Sequence, residues 1–243
     1  MEQSKKIILV GTGELSNDIR FFIERYNLFE VVGYAVNKEY LKETEYKGLP
    51  VYPLESLEEY VDKNTIYTFV AIYWFHYLNR ERRKAFELLK DKGFKVANLI
   101  SPKAEVLTEN IGEGNWICDY VYLDFKSKIG SNNIFRNYSY FGHYAEVDNH
   151  TFLGARTVIG GHTHIGSQNF IGISCTIFNN LTIGDKCILG AGTVVKRSVP
   201  DYSVVKMPND NVITKQYTEE TIELKLVPGN VRKKLADDRR EEK

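Results

Sequence analysis

The chain has 243 residues, with 32 basic and 32 acidic side chains and a formal net charge of zero. At 43% hydrophobic and 13% aromatic residues, it can bury a core in more than one domain and lacks the composition of a disordered polymer. Balanced charge gives no electrostatic footprint for nucleic acid, and no run approaches the roughly 20 apolar residues of a membrane span, so neither partner is expected.

The opening MEQSKKIILVGTG has too short an apolar run and no small-residue cleavage site for a signal peptide, so a cytoplasmic protein is expected. Its segment KKIILV reads as a buried strand, followed by Gly11-Thr12-Gly13-Glu14-Leu15-Ser16 and an amphipathic stretch, NDIRFFIERY. A second strand, VVGYAV, comes next, then a proline-bearing turn GLPVYP, a short helix ESLEEYV and a strand TIYTFVAIY. A long helix near RERRKAFELLKDKG and a strand KVANLI complete the series, ending at Ser101-Pro102. Strands alternating with helices predict a Rossmann-like α/β domain over residues 1–102, with a small parallel sheet.

The glycine loop is a degenerate dinucleotide fingerprint, since Ser16 stands where a third glycine is usual. Gly11, Thr12 and Gly13 can hold a phosphate on helix-start N–H groups, or simply form a tight turn. Asn37 sits roughly where a ribose-binding carboxylate is found in the classical arrangement, but without its charge. Tyr73, Trp74 and Tyr77 offer rings that can stack on a base or sugar, or pack against the long helix.

From Ile111 to Val195 every sixth residue is a branched aliphatic or Phe, and the next is often Gly. A six-residue period fits a chain that turns a corner every six residues and stacks coil on coil. This predicts an all-β left-handed parallel β-helix over residues 103–206, in which residues eighteen apart share a column at the ~4.8 Å spacing of neighbouring strands. The glycines are expected to supply backbone angles that bulkier corner residues resist. Cys118 falls at a corner, and Cys175 and Cys187 at small-residue positions. The odd count argues against disulfides and for buried, inert thiols.

Four of the five histidines (His76, His143, His150, His162, His164) lie in the coils. His143, two residues beyond core Phe141, should stand on the outer wall near a corner, with Gly161 one coil above it and Tyr144 and His162 in the next column. An imidazole beneath an open position suits a general base, and a Gly161 N–H beside it suits an oxyanion. A surface histidine making local hydrogen bonds is the plainer reading. Zinc is a further alternative, but His150, His162 and His164 occupy mixed hexad positions, so no metal is expected.

Together the glycine-loop α/β domain, the linker SPKA, the unbroken hexads and the closing ILGAGTVVKRSVPDYSVV resemble the bacterial hexapeptide-repeat sugar acyltransferases. These are the nucleotide-amino-sugar N-acetyltransferases and sialic-acid O-acetyltransferases of surface-glycan biosynthesis, lipopolysaccharide included, and the resemblance runs to about residue 206. It implies a homotrimer with acetyl-CoA in the groove between neighbouring prisms and a sugar nucleotide held against the N-terminal domain. By the same resemblance His143 is the catalytic base, and the Gly161 backbone faces the acetyl oxygen. Main-chain groups at Ile173 and Ala191 line the pantetheine arm, with Arg197 and Lys196 near the CoA phosphates.

The chain departs from that pattern on the acceptor side. Tyr144 replaces the acidic residue after the base, leaving Glu146 and Asp148 as candidates to orient His143. Leu15 replaces a histidine, Val36 and Asn37 replace an acidic pair, and YWFHYLNRERR replaces a Gly-Asn turn. KMPNDN replaces the usual closing turn, and the extension over 207–243 reads as an added strand at ETIELKLV followed by a charged helix or disordered end. The expected function is an acetyl-CoA-dependent N- or O-acetyltransferase acting on a nucleotide-linked sugar. The alternatives are a non-catalytic trimeric β-helical scaffold with a nucleotide-binding domain and a zinc-dependent hydratase.

Overall fold

The computed structural model describes residues 5–73, 77–207 and 213–223. The apolar run Lys6–Val10 forms β1 and is buried from Ile7 onward. Helix α1, Glu14–Tyr26, buries Leu15, Ile19, Phe22 and Ile23, one helical stripe, and ends where Asn27 turns left-handed at φ 49°. Strand β2 is Glu30–Val36, β3 is Glu45–Tyr46, β4 is Leu49–Pro53 and β5 is Ile66–Val70. Helix α2, Arg80–Asp91, and β6, Lys95–Val96, follow. The sheet order is β3-β4-β2-β1-β5-β6, parallel except for the β3–β4 pair.

Two expectations for this region are corrected. GLPVYP is not a turn: Leu49–Pro53 is a strand that pairs in parallel with β2, with Pro53 at its end. KVANLI is not one strand either. Lys95–Val96 closes the α/β sheet beside β5, whereas Leu99–Ile100 pairs with Trp116–Ile117 as the first rung of the next unit. Asn98 makes the hand-over, its amide donating to the Gly112 carbonyl and its side-chain oxygen accepting from the Asn115 N–H.

The hexads fold as a left-handed parallel β-helix with three faces. Tyr122 pairs with Tyr140, Tyr140 with Val158, Val158 with Thr176 and Thr176 with Val194, each step eighteen residues. The six-residue positions from Ile117 to Val195 are all buried, so they fill the prism.

Glycine acts differently from expectation. The left-handed backbone angle falls three residues after the core positions from Ile111 to Leu189 and, except at Gly114 and Gly192, is carried by ordinary residues, among them Tyr138, Tyr144, Arg156 and His162. The glycines directly after the core residue are needed for close approach: a Cβ on Gly154 would lie 2.5 Å from the Ile173 nitrogen one coil above. Space, not torsion, selects glycine there.

The α/β sheet and α1 and α2 cover one face of the prism, the one built from rungs 99–100, 116–117, 134–135, 152–153, 170–171 and 188–189. Phe22 packs edge-on against Trp116 at 5.7 Å, and Tyr26 donates to Asp119 at 2.7 Å. On the other edge of that face the fully buried Arg82 donates to the carbonyls of Asn132 and His150. Each edge of the covered face is thus a corner touched by a helix, and the third corner points away from the α/β unit.

The extension also differs from the sequence reading. Its strand is Ile213–Gln216, antiparallel to Ser203–Lys206, while EETIE forms a short helix, Glu219–Glu223. Ile222 packs with Leu78, Ile188 and Val204, and Glu223 pairs with Arg80 at 2.7 Å. Tyr77, Leu78 and Asn79 are three successive left-handed residues. They are held by Gln168 donating to the Leu78 carbonyl and by the Asn79 amide donating to the Asn169 carbonyl. Trp74, His76 and the tail from residue 224 lie outside the described residues.

Candidate active site

His143 stands on the corner remote from the α/β unit, half exposed, as its hexad position requires. Gly161 lies directly over it: a Cβ there would fall 2.7 Å from the imidazole Cε1 and 2.8 Å from Nε2. The ring therefore occupies the notch that the missing side chain leaves. Phe125 lies parallel to the imidazole at 5.9 Å and His162 meets it edge-on at 5.3 Å, while Tyr144 stacks on His162.

The orienting carboxylate is neither of the sequence candidates. Glu146 pairs with Lys128 and Asp148 with His164. Asp124 from the coil below reaches His143 instead, with Oδ2 3.8 Å from Nδ1. That carboxylate is fixed from two sides, accepting from the Tyr140 hydroxyl at 2.9 Å and the Phe125 N–H at 2.8 Å. At 3.8 Å the contact is longer than a hydrogen bond, of the loose kind that tightens when a substrate is bound. It favours the proton on Nδ1 and leaves Nε2 as the basic nitrogen.

The backbone donors divide by corner. On the α2 side a ladder of side chains satisfies them: Glu113 N–H donates to Ser131, Ser131 to Asn149, Asn149 to Ser167, Ser167 to Asp185 and Asp185 to Asp201. On the other two corners such caps are fewer among the described residues, the Phe125 N–H donating to Asp124 and the Lys103 N–H to Ser101. The N–H of Gly161, a buried residue on the His143 corner, has no acceptor among the described residues. The N–H groups of Ile173 and Ala191, exposed on the α1-side corner, have none either. A buried orphan donor is rare in a folded protein and marks a place where a ligand completes the count.

Lys196 and Arg197 are exposed on the His143 corner, Arg197 three coils above His143 in the same column. Lys196 lies 5.9 Å over the Phe178 ring. Ile173 and Ala191 sit on a different corner of the same prism, so one chain does not bring all five residues together.

The sugar-side residues gather at the carboxyl ends of β1 and β5, where the strand order reverses and open α/β sheets form their ligand crevices. Gly11 is the tight-turn position: its φ is 120° and a Cβ would lie 2.7 Å from the Ala71 carbonyl oxygen. Thr12 follows, half-buried, and Gly13 opens α1 with free space where a side chain would be. Across the crevice the Tyr73 hydroxyl donates to Glu14 at 3.0 Å, and burial together with that carboxylate holds its phenol above the usual range. Asn37 is engaged elsewhere, donating to Glu55 at 3.1 Å. Glu55 also accepts from the Lys38 N–H, so a carboxylate from the segment after β4 stands beside Asn37.

The remaining histidines do not converge. His150 is buried against the Asn132 amide at 2.9 Å, and burial with Arg82 nearby pushes its pKa down to about 3. His164 faces Asp148, and no group of three metal-ligating side chains occurs among the described residues. The thiols are buried, which raises Cys118 to about 12 and Cys175 and Cys187 to about 11. No described helix is long and apolar enough to cross a membrane.

No family model and no curated protein matches the chain. Solved structures do. A mutant of perosamine N-acetyltransferase from Caulobacter crescentus, in complex with CoA and GDP-perosamine, aligns with a TM-score of 0.71 at 25% identity over 86% of this chain and 96% of that one. The acetyltransferase domain of PglB from Neisseria gonorrhoeae, in complex with acetyl coenzyme A, aligns with a TM-score of 0.74 at 21% identity over 87% of this chain and 100% of that one. WeeI from Acinetobacter baumannii aligns with a TM-score of 0.65 at 21% identity over 85% of this chain and 99% of that one. The fold is therefore that of the hexapeptide-repeat sugar N-acetyltransferases.

Proposed function

We propose that this chain is an acetyl-CoA-dependent N- or O-acetyltransferase acting on a nucleotide-linked sugar in surface-glycan biosynthesis. The observation that carries the reading is the buried, unpaired Gly161 N–H directly above His143. A base and an oxyanion donor side by side are the two groups that acyl transfer to an amine or hydroxyl requires. CoA and a nucleotide sugar are bound by the Caulobacter acetyltransferase, which supports the same pair of ligands here.

The acyl donor supplies an activated carbonyl. His143 Nε2 takes the proton of the acceptor nucleophile as it attacks, the Asp124 carboxylate holds the resulting imidazolium, and the Gly161 N–H faces the carbonyl oxygen as charge develops. His143 then returns the proton to the departing thiolate. Holding both reactants in line supplies up to ~7–11 kcal/mol in favourable cases.

The site is split between copies of the chain in a homotrimer. His143, Lys196 and Arg197 lie on one corner and the free N–H groups of Ile173 and Ala191 on another. Helix α1, which the glycine loop opens, lies against that second corner at Asp119, Arg136 and Asn137, and only a neighbouring copy can set the two corners face to face. Exposed apolar groups on both, Phe125 at 47% and Phe178 at 45% on the first and Ile173 at 58% on the second, fit an interface. Thiol release from acetyl-CoA with UDP- and GDP-linked amino sugars tests the reading. His143→Ala is expected to lose on the order of 10²–10⁴ in rate, and full activity in that variant overturns it.

A further inference from the structure

Outside the residues assigned so far, a cavity of about 290 Å³ opens between α1 and the first two coils. Phe22, Tyr26, Trp116, Arg25, Arg136 and Asn137 are among its lining groups. Its charges are unequally satisfied. Asp119 accepts from Tyr26 at one oxygen and from Ser101 at the other, each at 2.7 Å. Arg136 has no ion pair and no side-chain hydrogen bond among the described residues, and its guanidinium stands over Trp116 with Cζ 4.7 Å from the ring centre. Arg25 likewise lies on Tyr26 at 5.4 Å. Trp116 is 3% exposed, and its indole N–H has no acceptor among the described residues.

An arginine stacked on an indole is aimed without being neutralised. It keeps its fork of donors for a planar or tetrahedral oxyanion. Position supports a role in acceptor binding. Asp18, one turn beyond Glu14 on the helix that the glycine loop opens, lines the cavity, so α1 joins it to the glycine crevice. Asn137 lies in the same corner column as Ile173 and Ala191, two and three coils below them.

We infer that Arg136, braced on Trp116 and assisted by Arg25, binds an oxyanion of the acceptor, a phosphate or a sugar carboxylate, and so positions the acceptor beneath the acyl slot. The role in positioning rests on the acyltransferase reading, but the binding does not. The test is calorimetric titration of the full chain with UDP, inorganic pyrophosphate, glucuronate and neutral glucose, with CoA titrated separately.

At least one anion is expected to bind, UDP or pyrophosphate marking a phosphate and glucuronate a carboxylate, with glucose weaker than any of them. Arg136→Met should weaken that anion at least about tenfold, the loss of a charge-assisted hydrogen bond, and leave CoA binding unchanged. Arg25→Gln, an exposed position that does not endanger folding, should weaken it about threefold. Binding of no anion, equal binding of glucose, or unaltered affinity in both variants overturns the inference. Failed thiol release with intact anion binding would instead remove the acyltransferase reading alone.

Discussion

Asp124 Oδ2 lies 3.8 Å from His143 Nδ1, across one coil of the prism, and the same oxygen accepts a hydrogen bond from Tyr140 at 2.9 Å. The carboxylate that serves the base thus comes from a different coil, with the Tyr140 hydroxyl fixing its direction. Asp124→Asn keeps the shape and removes the charge that favours the imidazolium. Its kcat is expected to fall on the order of 10-fold to 100-fold with the KM for acetyl-CoA unchanged. Steady-state thiol release measures both.

Gly161 is required by the ring beneath it. Gly161→Ala places a methyl group at 2.7–2.8 Å from the imidazole and 3.0 Å from the His143 carbonyl oxygen, so the half-exposed ring must turn aside and the carbonyl give slightly, while the buried hexad residues keep their places. Activity should drop by about 10² or more, with little change in melting temperature. Full activity in this variant would show that the imidazole does not work from the notch.

His150 gives the fold a pH dependence with a definite sign. Its folded pKa is depressed to about 3 from 6.5, so the unfolded chain binds a proton that the folded chain refuses between those values. Stability from this group is complete above about pH 6.5 and is lost as pH falls toward 3. Urea unfolding at pH 7.5 and 5.5 should show a loss of about 1 kcal/mol in the parent protein that His150→Gln does not share. An equal loss in both proteins would assign the acid sensitivity elsewhere.

The prism was legible from sequence because its period is set by one geometric act, a corner every six residues, repeated without interruption from Ile111 to Val195. His143 and Gly161 followed from the same count. Asp124 is within reach of that count too, since it lies one coil below Gly142, the neighbour of His143, whereas Glu146 and Asp148 are near His143 only along the chain. KVANLI reads as one strand because an apolar run carries no mark of which sheet receives each end. EETIE takes helical form because Ile222 is buried against Leu78, Ile188 and Val204, a partner set far apart in sequence. Arg82 left no signal either: among its charged neighbours in RERRK, only docking of α2 on the corner at Asn132 and His150 buries it.

The split site is tested most directly by complementation. His143→Ala disables one corner, and Ile173→Trp obstructs the other. Each variant alone should be inactive. Co-refolded in equal amounts, they should regain activity at about one quarter of the sites, those pairing an intact His143 corner with an intact Ile173 corner from the next copy. Mixed trimers that form and yet release no thiol from acetyl-CoA would contradict the account.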